Sequence, residues 1–67
     1  MITKNMTPLD IVEKHPETED VFREYEDALG ECILCNNLFD PIENIAGEYD
    51  LNLMEMLERL NNISKQK

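Results

Sequence analysis

Apolar residues recur along this chain at helical spacing, and proline, glycine and capping residues interrupt them at short intervals. Thr7-Pro8 sets a capping hydroxyl before a proline at the first helical position, with Asp10 in the favourable first turn. Leu9 and Val12 then share one face of a short helix. It must stop near Lys14, because the residue before Pro16 is pushed out of the helical region. Pro16 opens the next helix, and Glu17, Glu19 and Asp20 suit its positive end. Val21, Phe22, Tyr25 and Leu29 form its apolar stripe, which runs to about Ala28 before Gly30 stops it in the left-handed conformation.

Beyond Gly30, the cluster Ile33, Leu34, Leu38 and Phe39 predicts one or two helical turns starting at Cys32 or just after it. Asp40-Pro41 repeats the cap-plus-proline signal ahead of a stripe made by Ile42, Ile45, Ala46 and Tyr49. Asp50 and Asn52 bracket a turn at Leu51. Leu53, Met56, Leu57 and Leu60 define a last helix that frays into the polar stretch from Asn61 to Lys67. Alternation of period two never persists, so no strand competes with this reading. The pattern predicts an all-α fold: about four short helices plus a helical turn carrying the cysteines. It forms one domain over 1–67, with an ordered core from about 2 to 62 and a polar tail at 63–67.

Length bounds what this domain can do. Sixty-seven residues, 42% of them hydrophobic, build one small core, and a cavity of several hundred cubic ångströms would consume too much of it. A substrate-enclosing enzyme is therefore disfavoured, and any activity would rest on thiol–disulfide exchange. The formal net charge of −9 repels phosphate backbones and anionic membranes, and Lys4, Lys14, Arg23, Arg59, Lys65 and Lys67 form no basic stripe. The composition thus predicts no nucleic-acid and no membrane partner, and favours a protein partner with a basic or apolar surface. No segment approaches the roughly 20 apolar residues of a membrane span. The start Met1-Ile2-Thr3-Lys4 lacks the apolar region of a signal peptide. The expected compartment is the cytoplasm.

The concentrated chemistry is Cys32-x-x-Cys35. Two thiols at this spacing can close a small ring, and a first cysteine at a helix start can have its thiolate stabilised by free backbone N–H groups. Cys32, just after Gly30, fits that position. Other readings stand beside redox chemistry. A structural staple closing so short a loop contributes only about 2 kcal/mol. A metal centre wants four ligands, and one pair with the single His15 does not supply them. His15, beside Pro16, reads as a capping or packing residue, so the monomer is expected to hold no metal and no cofactor. A four-thiolate site would need a second copy of the chain. Both cysteines could also be buried apolar residues around Ile33 and Leu34. Glu31 adjoins Cys32 and no lysine or arginine lies close by, so the local charge opposes a thiolate and predicts a mildly reducing pair. Met54 and Met56 with Leu53 and Leu57, the acidic run Glu17 to Asp20, and Tyr25 and Tyr49 read as packing or solvated-face residues.

The order Ile2-Thr3-Lys4-Asn5-Met6-Thr7, then Glu13-Lys14-His15-Pro16-Glu17, then Cys32-x-x-Cys35, then the helix from Asp50 to Asn61 resembles one family. This is the hybrid-cluster-protein-associated redox disulfide domain, a short helical domain of bacteria and archaea without an established function. The resemblance runs from Ile2 to about Asn62. It implies an all-helical orphan fold and a redox role for Cys32 and Cys35, which match the family's pair, while His15 and Pro16 match its helix-boundary motif. The chain departs from the pattern at Leu34, where relatives often carry glycine, and at Gly30, which Glu31 separates from Cys32. Leu34, beside Cys35, is therefore expected to cover its sulfur and limit access to the thiol. Some relatives lack the cysteines, which implies a fold that does not need them.

The leading expectation is a cytoplasmic accessory domain whose Cys32–Cys35 pair cycles between dithiol and disulfide with a protein partner. Cys32 attacks and Cys35 resolves, in a monomer or weak homodimer. The alternatives are a non-catalytic module that docks a larger metalloenzyme, and metal or cluster binding by a homodimer.

Overall fold

In a computed structural model, which describes residues 1–65, Thr7 Oγ1 accepts from the Asp10 N–H at 3.2 Å and starts α1, Pro8–Lys14. A single 3-10 turn, Pro16–Thr18, leads into α2, Glu19–Leu29. A one-turn helix, α3, spans Ile33–Asn36; α4 spans Ile42–Glu48 and α5 spans Leu53–Ser64. The described residues contain helices and turns and no strand, so the all-α expectation of about four short helices plus a cysteine-bearing helical turn holds.

Short helices are marginal alone and depend on a shared core. Here Phe22 of α2 sits in a fully enclosed cluster with Ile11, Ile33, Ile42, Ile45, Met56 and Leu60, with Ile2 and Val21 also buried against it. Each helix contributes at least one of these residues. The α2 and α4 stripes face inward as expected, with Tyr25, Leu29 and Tyr49 packed at their margins.

Helix α1 differs from the pattern. Pro8 and Ile11, rather than Leu9, are buried, and Leu9 lies at the surface while Val12 is partly covered. The chain around Leu9 is held from outside the helix: its N–H donates to the Leu38 carbonyl at 3.2 Å. Phe39, expected to join the apolar cluster, is 74% exposed. Met54 is likewise outside the core that Met56 enters.

The start of α4 is another correction. Asp40 does not cap it; Pro41 occupies the capping position and gives no side-chain bond. The first two N–H groups of the helix instead donate to distant carbonyls, Ile42 to Met6 at 2.9 Å and Glu43 to Lys4 at 3.1 Å. The N-terminal segment therefore does the work expected of Asp40, whose carboxylate is used elsewhere. Asn52 caps α5 through its side-chain oxygen, accepting from the Glu55 N–H at 3.0 Å, after Asp50 adopts φ 57° in the preceding turn.

The expected fraying at Asn61 is absent. Asn61 accepts from the Ile2 N–H at 2.8 Å and donates to the carbonyls of Ile2 and Leu57, each at 3.0 Å. One amide thus ties the buried N-terminal Ile2 to α5, and the helix continues to Ser64 with Ile63 packed on the core. Of the expected polar tail at 63–67, positions 66 and 67 lie outside the described residues. His15 behaves as a boundary residue. Its carbonyl accepts from both the N–H (2.9 Å) and Oγ1 (2.6 Å) of the buried Thr18, and its Nδ1 lies 3.8 Å from Glu17.

Replacing Asn61 with alanine leaves the backbone groups of Ile2 without this partner. The Asn61→Ala chain is expected to lose about 1–3 kcal/mol of stability, read as a lower urea midpoint. An unchanged midpoint would show that the tie contributes nothing.

Candidate functional site: the Cys32–Cys35 disulfide

Gly30 closes α2 with φ 72°, and its N–H reaches back to the Glu26 carbonyl at 2.8 Å. A side chain in that left-handed conformation would be strained, which is why glycine ends the helix here. The chain then turns through the exposed Glu31 to Cys32, whose extended backbone makes it the cap of α3. Its Sγ accepts from the Cys35 N–H at 3.1 Å. The expectation of a cysteine at a helix start is met in its geometry.

Cys32 and Cys35 are joined as a disulfide, with Cα atoms 5.2 Å apart. Cys32 is half-buried and Cys35 is exposed. Between them Ile33 is fully enclosed, while Leu34 packs partly against the core. Leu34 therefore does not bury Cys35, contrary to the expectation drawn from its size. The reading of both cysteines as core residues fails for Cys35 on the same observation.

A second acceptor shares the start of α3. Glu26, on α2, accepts from the Leu34 N–H through Oε2 at 2.9 Å. Consecutive amides of one turn thus point to a carboxylate and to a sulfur. Nothing in the local spacing marks Glu26, which lies six residues upstream of Cys32; only the packing of α2 on α3 brings it there.

Asn37 closes the other end of α3 and is buried. Its Nδ2 donates to Asp40 at 2.9 Å and to Glu48 at 3.0 Å, and its Oδ1 accepts from the Tyr49 hydroxyl at 2.7 Å. This network is where the carboxylate of Asp40 goes. The Tyr49 pKa is raised above the ordinary phenol value, first by partial burial, then by the carboxylates of Glu48 and Glu31, with a smaller push from Asp40; interaction with Asn36 lowers it in part. Tyr25, on α2, is also raised, by burial and then by Glu55, with the Arg59 guanidinium 4.9 Å from its ring centre. Arg59 also pairs with Glu24.

No three His, Cys, Asp or Glu side chains among the described residues converge so as to hold a metal ion, and the described surface carries no pocket. No described helix is long and apolar enough to cross a membrane. The chain matches no family model, no curated protein and no solved structure. What the site can do follows from its own geometry: an accessible disulfide on a one-turn helix, with carboxylates on both sides.

Both raised tyrosines bind their proton more tightly in the folded chain than when unfolded. Their contribution to stability is complete below about pH 10. It is lost as pH rises through the folded-state values. Stability is therefore expected to fall as pH rises above about 10, and Tyr49→Phe to flatten part of that fall while lowering the urea midpoint at neutral pH. Urea unfolding at several pH values checks both; a fall of unchanged slope in Tyr49→Phe would remove Tyr49 from the account.

Proposed function

We propose that this chain is a cytoplasmic accessory domain that exchanges its Cys32–Cys35 disulfide with thiols of a protein partner. The observation that carries the reading is the placement of the disulfide, fixed to the core through Ile33 yet presenting Cys35 to solvent. The Lys14-His15-Pro16-Glu17 stretch together with the pair supports placing the chain among the hybrid-cluster-protein-associated redox disulfide domains.

The cycle balances without an added cofactor. A partner thiolate attacks Cys35 Sγ, the S–S bond opens, and Cys32 leaves as a thiolate. The Cys35 N–H already aimed at Cys32 Sγ stabilises that charge. A second partner thiol then attacks the partner sulfur of the mixed disulfide and releases Cys35. Two partner thiols become a disulfide, and the domain gains two electrons and two protons. Relative exposure supports Cys35 as the partner-facing sulfur and Cys32 as the internal one, the reverse of the order expected from helix position alone. If so, Cys32→Ser accumulates a mixed disulfide with small disulfides faster than Cys35→Ser does. Equal rates, read by mass after acid trapping, would return the assignment to helix position.

Glu31 adjoins Cys32 and Glu26 bonds the Leu34 amide at the start of the same turn; both charges oppose an ionised Cys32, so the dithiol state gains no stabilisation from thiolate formation. The potential is expected nearer to about −270 mV than to the value of about −120 mV found for a dedicated disulfide oxidant. Glu26→Gln keeps an acceptor for the Leu34 N–H and removes the charge. Above about pH 9, where the thiol ionises, it is expected to raise the potential by about 10–30 mV, with little change at about pH 7. Glutathione titration with thiol trapping measures both, and a potential near the oxidant value would sink the reading.

Exposure of Phe39 at 74% and Met54 at 80% favours a second reading, a non-catalytic module that docks a larger metalloenzyme. Full complementation of a deletion by the Cys32→Ala, Cys35→Ala double variant would decide for it.

A further inference from the structure

The stretch of chain that carries this disulfide is strongly negative. Between Arg23 and Arg59 the chain carries ten of its 15 acidic residues and no lysine or arginine, and that stretch contains the whole site. Glu31 is exposed beside Cys32, Glu26 is bonded to the amide of Leu34 inside the loop, and Asp40 and Glu48 converge on Asn37 directly after α3. The guanidinium at the end of this stretch, Arg59, is engaged with Glu24 and Tyr25. Glu31, Glu48 and Asp40 are also the groups whose charges act on the Tyr49 phenol, which bonds to Asn37 at the end of α3, so their fields overlap there.

The attacking species in thiol–disulfide exchange is itself an anion. A thiolate approaching this surface is repelled, unless its carrier brings positive charge alongside. From this we infer that the disulfide selects thiols borne on a cationic segment, a cysteine flanked by lysine or arginine, and discriminates against acidic thiols. The inference rests on the exchange reading above and names its substrate class. The bond changes are unaltered: the cationic partner's thiolate joins Cys35 Sγ, Cys32 leaves with the electron pair, and the partner is oxidised as the domain is reduced. Glu31 is the specificity residue that the arrangement isolates best, because it is exposed and adjacent to Cys32.

The test uses the full oxidised chain and three small thiols: cysteamine (cationic), 2-mercaptoethanol (neutral) and 3-mercaptopropionate (anionic). Rates of disulfide opening are measured per thiolate, and each is divided by that thiol's rate with neutral hydroxyethyl disulfide. At low ionic strength the corrected rates are expected to fall from cation to anion by about tenfold, and to converge in 1 M salt. Glu31→Gln is expected to narrow the low-salt spread by about twofold. Corrected rates that are equal, reversed, or spread equally at high salt overturn the charge selection while leaving the exchange reading standing. A disulfide that none of the three opens until the chain is unfolded overturns the exchange reading itself, and the selection with it.

Discussion

Burial of Ile33 fixes the direction in which the chemistry of this chain points. The side chain lies inside the Cys-x-x-Cys loop and is wholly enclosed with Phe22 and Ile42. Enclosing an isoleucine contributes about 1.5–3 kcal/mol, a large share for a core this small. A helical turn advances by 100° per residue, so the residue two positions on must face almost the opposite way. That residue is Cys35, and it is exposed. Cys32, one position before Ile33 and outside the helix, is left at the rim. The hydrophobic core therefore sets the exposure of each cysteine.

The negative field around the site has a structural origin of the same kind. A helix of one turn has almost only unsatisfied ends, and the first N–H groups of α3 need acceptors. Glu26 supplies one and Cys32 Sγ another. At the other end, the buried amide of Asn37 would be costly without partners, and Asp40, Glu48 and Tyr49 satisfy it. Each of these bonds holds α3 in place, and three of them bring a carboxylate to it. The charges that oppose thiolate formation are thus the acceptors that fix the turn. Truncating Glu26, Asp40 or Glu48 alters reactivity and local stability together, because each carboxylate makes one of these bonds, whereas the exposed Glu31 makes none of them.

What could be read in the sequence was what local spacing decides. The stripe Ile42, Ile45, Ala46 and Tyr49, the left-handed stop at Gly30, the Thr7 cap and the position of Cys32 at a helix start all follow from residues each no more than four positions from the next. Two of the misreadings share a cause, which is a partner far away in the chain. Asp40 looked like a cap, but Met6 and Lys4 supply the acceptors for α4 and free its carboxylate for Asn37. Asn61 looked like the start of a frayed end, but its partner is Ile2 at the other terminus. Leu9 looked buried because two apolar residues three apart define a face, yet a face one step away, through Pro8 and Ile11, was equally available to so short a helix. Glu26 carried no local mark at all.

The contacts that hold α3 also bear on whether its disulfide can serve as more than a staple. Ile33 is held by the core, Leu34 by Glu26, and the Asn36 and Asn37 amides by the carbonyls of Cys32 and Ile33 at 3.0 and 2.7 Å. None of these passes through the S–S bond. The ring spans four residues, so closing it removes little freedom from the unfolded chain, about 2 kcal/mol before any strain. Within the loop, the turn brings the two sulfurs together through hydrogen bonds that a dithiol can keep. A cross-link that contributes so little to holding its own helix is one the fold can make and break without rebuilding the rest, which is the physical condition a redox pair requires.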